Sequence, residues 1–117
     1  MEKAMRIVAV HAGDIEDPQD ENWKIVFDGI INENGNLLKQ WYFGYSLEPD
    51  EDLQINQKWP FILMNSPQGF EFGPGCEEDH FESTNIFDKK IHINTLFTRG
   101  LGAEESTYRV INIEPLT

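Results

Sequence analysis

Cations and cysteine are the scarce components of this 117-residue chain. Nine Lys and Arg stand against 21 Asp and Glu, a formal charge of −12 at pH 7 with the three His counted neutral. A direct nucleic-acid partner is therefore not expected, because phosphate neutralisation needs a clustered basic footprint. Cys76 is the only cysteine, so no intramolecular disulfide can form, and a small domain without such staples fits a reducing compartment. Long apolar runs are missing too. The run at residues 7–10 is shorter than the ~7–15 residues of a signal-peptide core, and no stretch approaches the ~18–20 of a membrane span. These absences predict a cytoplasmic protein with no membrane partner.

Catalytic signatures are equally sparse. There is no G-x-S-x-G elbow and no S-x-x-K element, and Gly69, Gly73 and Gly75 come without a Walker lysine. Glu48, Asp50 and Asp52 alternate like the first ligands of a calcium loop. Leu53 and Trp59 then occupy the positions where glycine and glutamate are needed. Cys76 and His80 are spaced C-x3-H, with His92 as a distant third donor; paired CxxC or HExxH elements that mark zinc sites are absent. The expectation is no cofactor, no structural metal and no catalytic residues.

What the chain has is 39% hydrophobic and 12% aromatic residues, enough for one core, and an apolar pattern of period two. Strands are predicted at residues 5–11, 53–57, 59–64, 70–72, 80–87, 90–98 and 107–114. A hairpin over residues 25–45 is predicted to turn at Asn34-Gly35, as in a type I′ turn. In that register Ile31 faces Leu38, Phe27 faces Tyr42, and both faces are covered. Tyr108 and Val110 share one parity while Ile111 and Ile113 share the other, which predicts either a bulge or burial on both faces. A short helix is weighed within residues 14–23. The fold expected over residues 1–117 is a single all-β domain, an antiparallel sandwich or a partly open small barrel.

Carboxylates gather in three clusters: Asp14, Glu16, Asp17, Asp20 and Glu21; Glu48, Asp50, Glu51 and Asp52; and Glu77, Glu78, Asp79 and Glu82. The third cluster is interleaved with Phe70 and Phe72, apolar anchors amid steering charge. These six residues, Phe70, Phe72, Glu77, Glu78, Asp79 and Glu82, are the predicted partner-binding site, with Glu48, Asp50, Glu51 and Asp52 as a secondary one. In size, acidity and cytosolic type the chain resembles the small acidic immunity and inhibitor proteins that neutralise bacterial nuclease toxins. That resemblance carries no motif, and it implies a basic protein partner. A second class is a small barrel enzyme or ligand-binding domain, its pocket lined by Trp23, Trp41, Trp59 and a histidine.

Overall fold

The computed structural model describes residues 2–12, 20–50, 55–64, 69–72, 80–101 and 104–116. Its strands are β1 (Lys3–His11), β2 (Asp20–Ile31), β3 (Tyr42–Asp50), β4 (Ile55–Leu63), β5 (Phe70–Phe72), β6 (His80–Thr84), β7 (Leu96–Leu101) and β8 (Glu104–Pro115). The one helical piece described is a 3-10 turn at Ile86–Asp88. All neighbours pair antiparallel in chain order and β8 returns to β1, so the sheet closes into an eight-stranded up-and-down barrel. The all-β expectation holds, in a more specific form than a sandwich or a partly open barrel. The helix weighed for residues 14–23 gives way at its end, where β2 begins at Asp20; residues 13–19 lie outside the described residues.

The interior is packed with side chains, one of the two outcomes open to eight strands. Ile7 and Ala9 of β1, Ile25 and Phe27 of β2, Tyr42 of β3, Phe61 and Leu63 of β4, Phe70, Phe97, Tyr108 and Val110 are all buried. Phe61 and Phe70 meet edge to face, with centroids 4.9 Å apart. Gly44 makes room for this packing. A Cβ there would come within 2.6 Å of Phe27 Cβ and 2.9 Å of Phe61 Cζ. The bulge is present: Val8 pairs with Asn112 and Ala9 with Val110, leaving Ile111 as the extra residue. The strand thereby switches parity, and Tyr108, Val110 and Ile113 all pack on the core.

One end of the barrel, the base, is closed by two connections that pair across it. Leu37 bridges Ile31 and Asn36 bridges Lys90. The Ile91 amide donates to Gly35 O at 2.7 Å, and Asn36 Nδ2 donates to Lys89 O at 3.0 Å. Leu37, Ile86 and Ile91 are buried beneath this zipper, and Tyr42 stacks on Phe87.

Four expectations are corrected here. The turn is not a two-residue one. Gly35 N donates to Asn32 O and Asn32 N to Asn36 O, and only Gly35 takes positive φ (+88°). That is a three-residue turn with Gly in the left-handed position. Asn32 Oδ1 accepts from the amides of Asn34 and Asn36 and fixes it. The register moves accordingly: Phe27 faces Gly44 and Ile31 faces Leu37. Secondly, the hairpin's outer face is not covered, because Trp41 and Phe43 are exposed. Thirdly, residues 90–98 do not form one strand. They turn at His92–Thr95 with Asn94 at φ +76°, held by the Thr95 hydroxyl donating to Lys90 O at 2.7 Å. Finally, residues 57 and 59, assigned to separate strands, belong to the single strand β4.

Candidate functional site: the acidic rim and its buried arginine

In an up-and-down barrel every second connection lies at the same end. Those joining β1 to β2, β3 to β4, β5 to β6 and β7 to β8 start and finish on the rim opposite the base. The sequence assigns to these connections and their strand ends all three carboxylate clusters, together with Glu104 and Glu105. Residues 13–22, 48–57, 73–82 and 100–106 contain no Lys or Arg. The described acids on those strand ends, Asp20, Glu48, Asp50, Glu82, Glu104 and Glu105, therefore share one rim, while residues 13–19, 51–54, 73–79 and 102–103 lie outside the described residues.

Just inside this rim sits a buried guanidinium. Arg99 of β7 points inward and its side chain is 7% exposed. Nε and Nη2 each donate at 2.9 Å to the two carboxylate oxygens of Glu82 on β6, a bidentate fork. Nη1 donates to Ser46 Oγ on β3 at 2.9 Å, and Nη2 reaches Glu48 Oε2 at 3.5 Å. The Ser46 hydroxyl in turn donates to Glu48 Oε2 at 2.8 Å. The planar head lies between rings, with Cζ 5.8 Å from the Phe70 centroid and 5.4 Å from that of Tyr108. Burial works against the charge of Arg99. The hydrogen-bonded carboxylate of Glu82 and the charge of Glu48 outweigh that, so its pKa stands above the ordinary value. Burial also raises the pKa of the Tyr108 phenol, with Arg99 pulling partly the other way. His11 of β1 completes this layer, its ring edge-on to Tyr108 at 5.9 Å.

Chemically this is a locked ionic layer. One guanidinium is formally matched by two carboxylates, and the Ser46 hydroxyl donates a hydrogen bond to Glu48 while accepting one from Arg99. The layer fixes two acids at the inner lip of the rim and ties β3, β6 and β7 together across the barrel.

The structure redistributes the residues singled out in the sequence. Phe70 is fully buried against Phe61 and Arg99, so it is no surface anchor. Its strand alternation with Glu71 left both orientations open. Glu82 and Glu48, one from each predicted acidic site, turn inward and meet at Arg99. The backbone of Phe72 pairs with His80 in β5–β6, and Asp50 ends β3 paired with Ile55. Glu51, Asp52, Glu77, Glu78 and Asp79 lie outside the described residues, as does Cys76.

Among the candidate metal ligands, His80 opens β6 on the acidic rim, whereas His92 lies in the base turn with Nδ1 2.9 Å from Ile93 O. Among the described residues, no three His, Cys, Asp or Glu side chains converge as a metal site. Trp59 packs on the core, while Trp41 and Trp23 are exposed. Sequence reasoning missed Arg99. Its only signal is its place in Phe97-Thr98-Arg99, which gives it the inward parity of Phe97. Among the described residues, no helix is long and apolar enough to cross a membrane. Comparison with known protein families, with curated proteins and with solved structures finds no match to this chain.

Proposed function

We propose that this chain is a non-catalytic cytoplasmic binding protein whose acidic rim occupies a basic surface of another protein, as an immunity or inhibitor protein does to a nuclease-type toxin. The observation that carries the reading is that Asp20, Glu48, Asp50 and Glu82, drawn from all three acid clusters, lie on strand ends of one rim, and that the sequence of the connections between those ends contains no Lys or Arg. A nuclease must be basic to hold phosphate, and a rim of carboxylates competes for that surface. Such a field accelerates encounter by ~10–1000-fold at low salt. The filled interior supports recognition by the outside of the barrel, since the aromatic core occupies the space an apolar ligand would take.

The site moves from a Phe-anchored segment to the whole rim. With Phe70 buried, the reason to rank the third cluster above the second falls away. The test is stopped-flow association and nuclease inhibition with basic nuclease domains, beginning with any encoded beside this gene. Reversing Glu78 and Asp79 to Lys, or Asp50 and Glu51 to Lys, is expected to slow association comparably. Both effects should shrink between 0.01 M and 0.15 M salt, as the Debye length falls from ~30 to ~8 Å. Association that ignores salt and both reversals, or no inhibition of any such domain, overturns the proposal.

A further inference from the structure

The opposite kind of surface runs along the outside of β3. Tyr42 and Ser46 point into the barrel, so Phe43, Tyr45 and Leu47 point out, and Trp41 precedes them on the same side. Trp41 is 64% and Phe43 71% exposed. Ile62 of β4 stands beside Phe43, and Val26 of β2 beside Tyr45. Large aromatics left this open on a sheet face are the type of residue that dominates protein interfaces.

The charge around this ridge is reversed relative to the rim. Leu47 pairs with Lys24 on one side and with Lys58 on the other, which puts the two lysines about 10 Å apart at two strand spacings. Neither forms an ion pair with a described residue, and Lys58 Nζ rests 4.7 Å above the Tyr45 ring. Asp28, the neighbouring carboxylate on β2, is held by Arg6 in two hydrogen bonds of 2.8 and 3.1 Å. Glu71, opposite Ile62 on β5, marks the far margin.

We propose that this wall receives an acidic amphipathic helix of a partner protein, laid along β3 with its apolar face on Phe43 and Tyr45 and its carboxylates beside Lys24 and Lys58. Strand addition is unavailable because a closed barrel has no free edge. Helix on sheet is the usual way an apolar sheet face is covered. From Trp41 to Leu47 the ridge is about 20 Å long, the length of roughly 13 helical residues. The lysine separation also matches the ~10 Å width of a helix. A second copy of this chain is a poorer occupant, since its own β3 wall brings the same two lysines and no opposing row of acids. The basic partner of the rim is repelled here by those lysines.

The test is selection of binders from a displayed library of 14-residue helical peptides against the full chain. Recovered peptides are expected to carry Asp or Glu on both flanks of an apolar stripe. Phe43→Ser should weaken them by about tenfold or more, as loss of an exposed aromatic anchor does. Lys24→Glu with Lys58→Glu should weaken them and remove the salt dependence. Melting temperatures should stay near wild type, because these side chains lie on the outside, and Glu78→Lys with Asp79→Lys should leave binding unchanged. Selection of basic peptides insensitive to Phe43→Ser, or a concentration-dependent dimer that Phe43→Ser abolishes, overturns the proposal.

Discussion

Arg99 concentrates much of the molecule's risk in one side chain. Its removal takes the guanidinium away from Glu82 and Glu48 at the inner lip. Breaking a buried pair from one side typically costs about 3–5 kcal/mol, whereas replacing the whole set costs far less. Urea denaturation at pH 7 should therefore show a large loss for Arg99→Met. A much smaller loss is expected for Arg99→Met combined with Glu82→Leu and Glu48→Gln, and equal losses would show that packing alone is at stake. Tyr108, stacked on Phe97 and under the guanidinium, makes a separate prediction. Its pKa is raised by burial, so the folded state holds the neutral phenol after the unfolded chain has begun to ionise. Its contribution is present in full below the ordinary tyrosine value near ~10 and is lost as pH climbs from there through the raised value. Melting curves collected from pH 8 to 11 should fall less steeply in Tyr108→Phe than in wild type.

Among the elements, the turn at residues 32–36 separates what periodicity reveals from what it hides. Alternation put Ile25, Phe27 and Tyr42 on one face, and they are buried together. But it assigned Leu38 to that face where Leu37 is the buried residue, and it began the second strand at Leu37 where β3 starts at Tyr42. It did not fix the register. That depended on Asn32, whose side chain caps the amides of Asn34 and Asn36 and favours a longer turn over the two-residue one that Asn-Gly suggests. The same side-chain chemistry hid the break at residues 90–98, where Thr95 and Asn94 build a turn inside a pattern that looks like a strand. A pair of variants distinguishes the turn types. Gly35→Val should cost about 1–2 kcal/mol, since a side chain is strained at positive φ. Asn34→Gly, helpful in a type I′ turn, should be neutral or destabilising here, because Asn34 has no positive φ to relieve. Thermal melts of the two proteins give the answer.

At the scale of the whole molecule, charge was legible in the sequence and its geometry was not. Asp20, Glu48 and Glu82, separated by tens of residues, gave no sign of lying at one end until the strand order was known. The pattern around Phe70 and Glu82 was equally consistent with an exposed or an inward segment. Arg99 was hidden because one cation on a short strand is indistinguishable from a solvated one until its partners on β3 and β6 are placed. The exposed ridge was missed for the opposite reason: two apolar faces suggested burial on both, and the barrel needed only one. The base zipper carries a further consequence, for the covalent continuity of the chain. Asn36 and Gly35 belong to the first half of the sequence and Lys90 and Ile91 to the second, and β1 holds β8 along a ladder from Met5–Pro115 to His11–Tyr108. A break anywhere between Phe72 and His80 would leave two pieces gripped at the base, along one full seam and through the contacts of Arg99 with Ser46 and Glu48. Separately expressed fragments divided there are expected to recombine into a particle that elutes with the intact 13.6 kDa chain and keeps its β-type circular dichroism, making this barrel a divisible reporter of the proximity of two fused proteins.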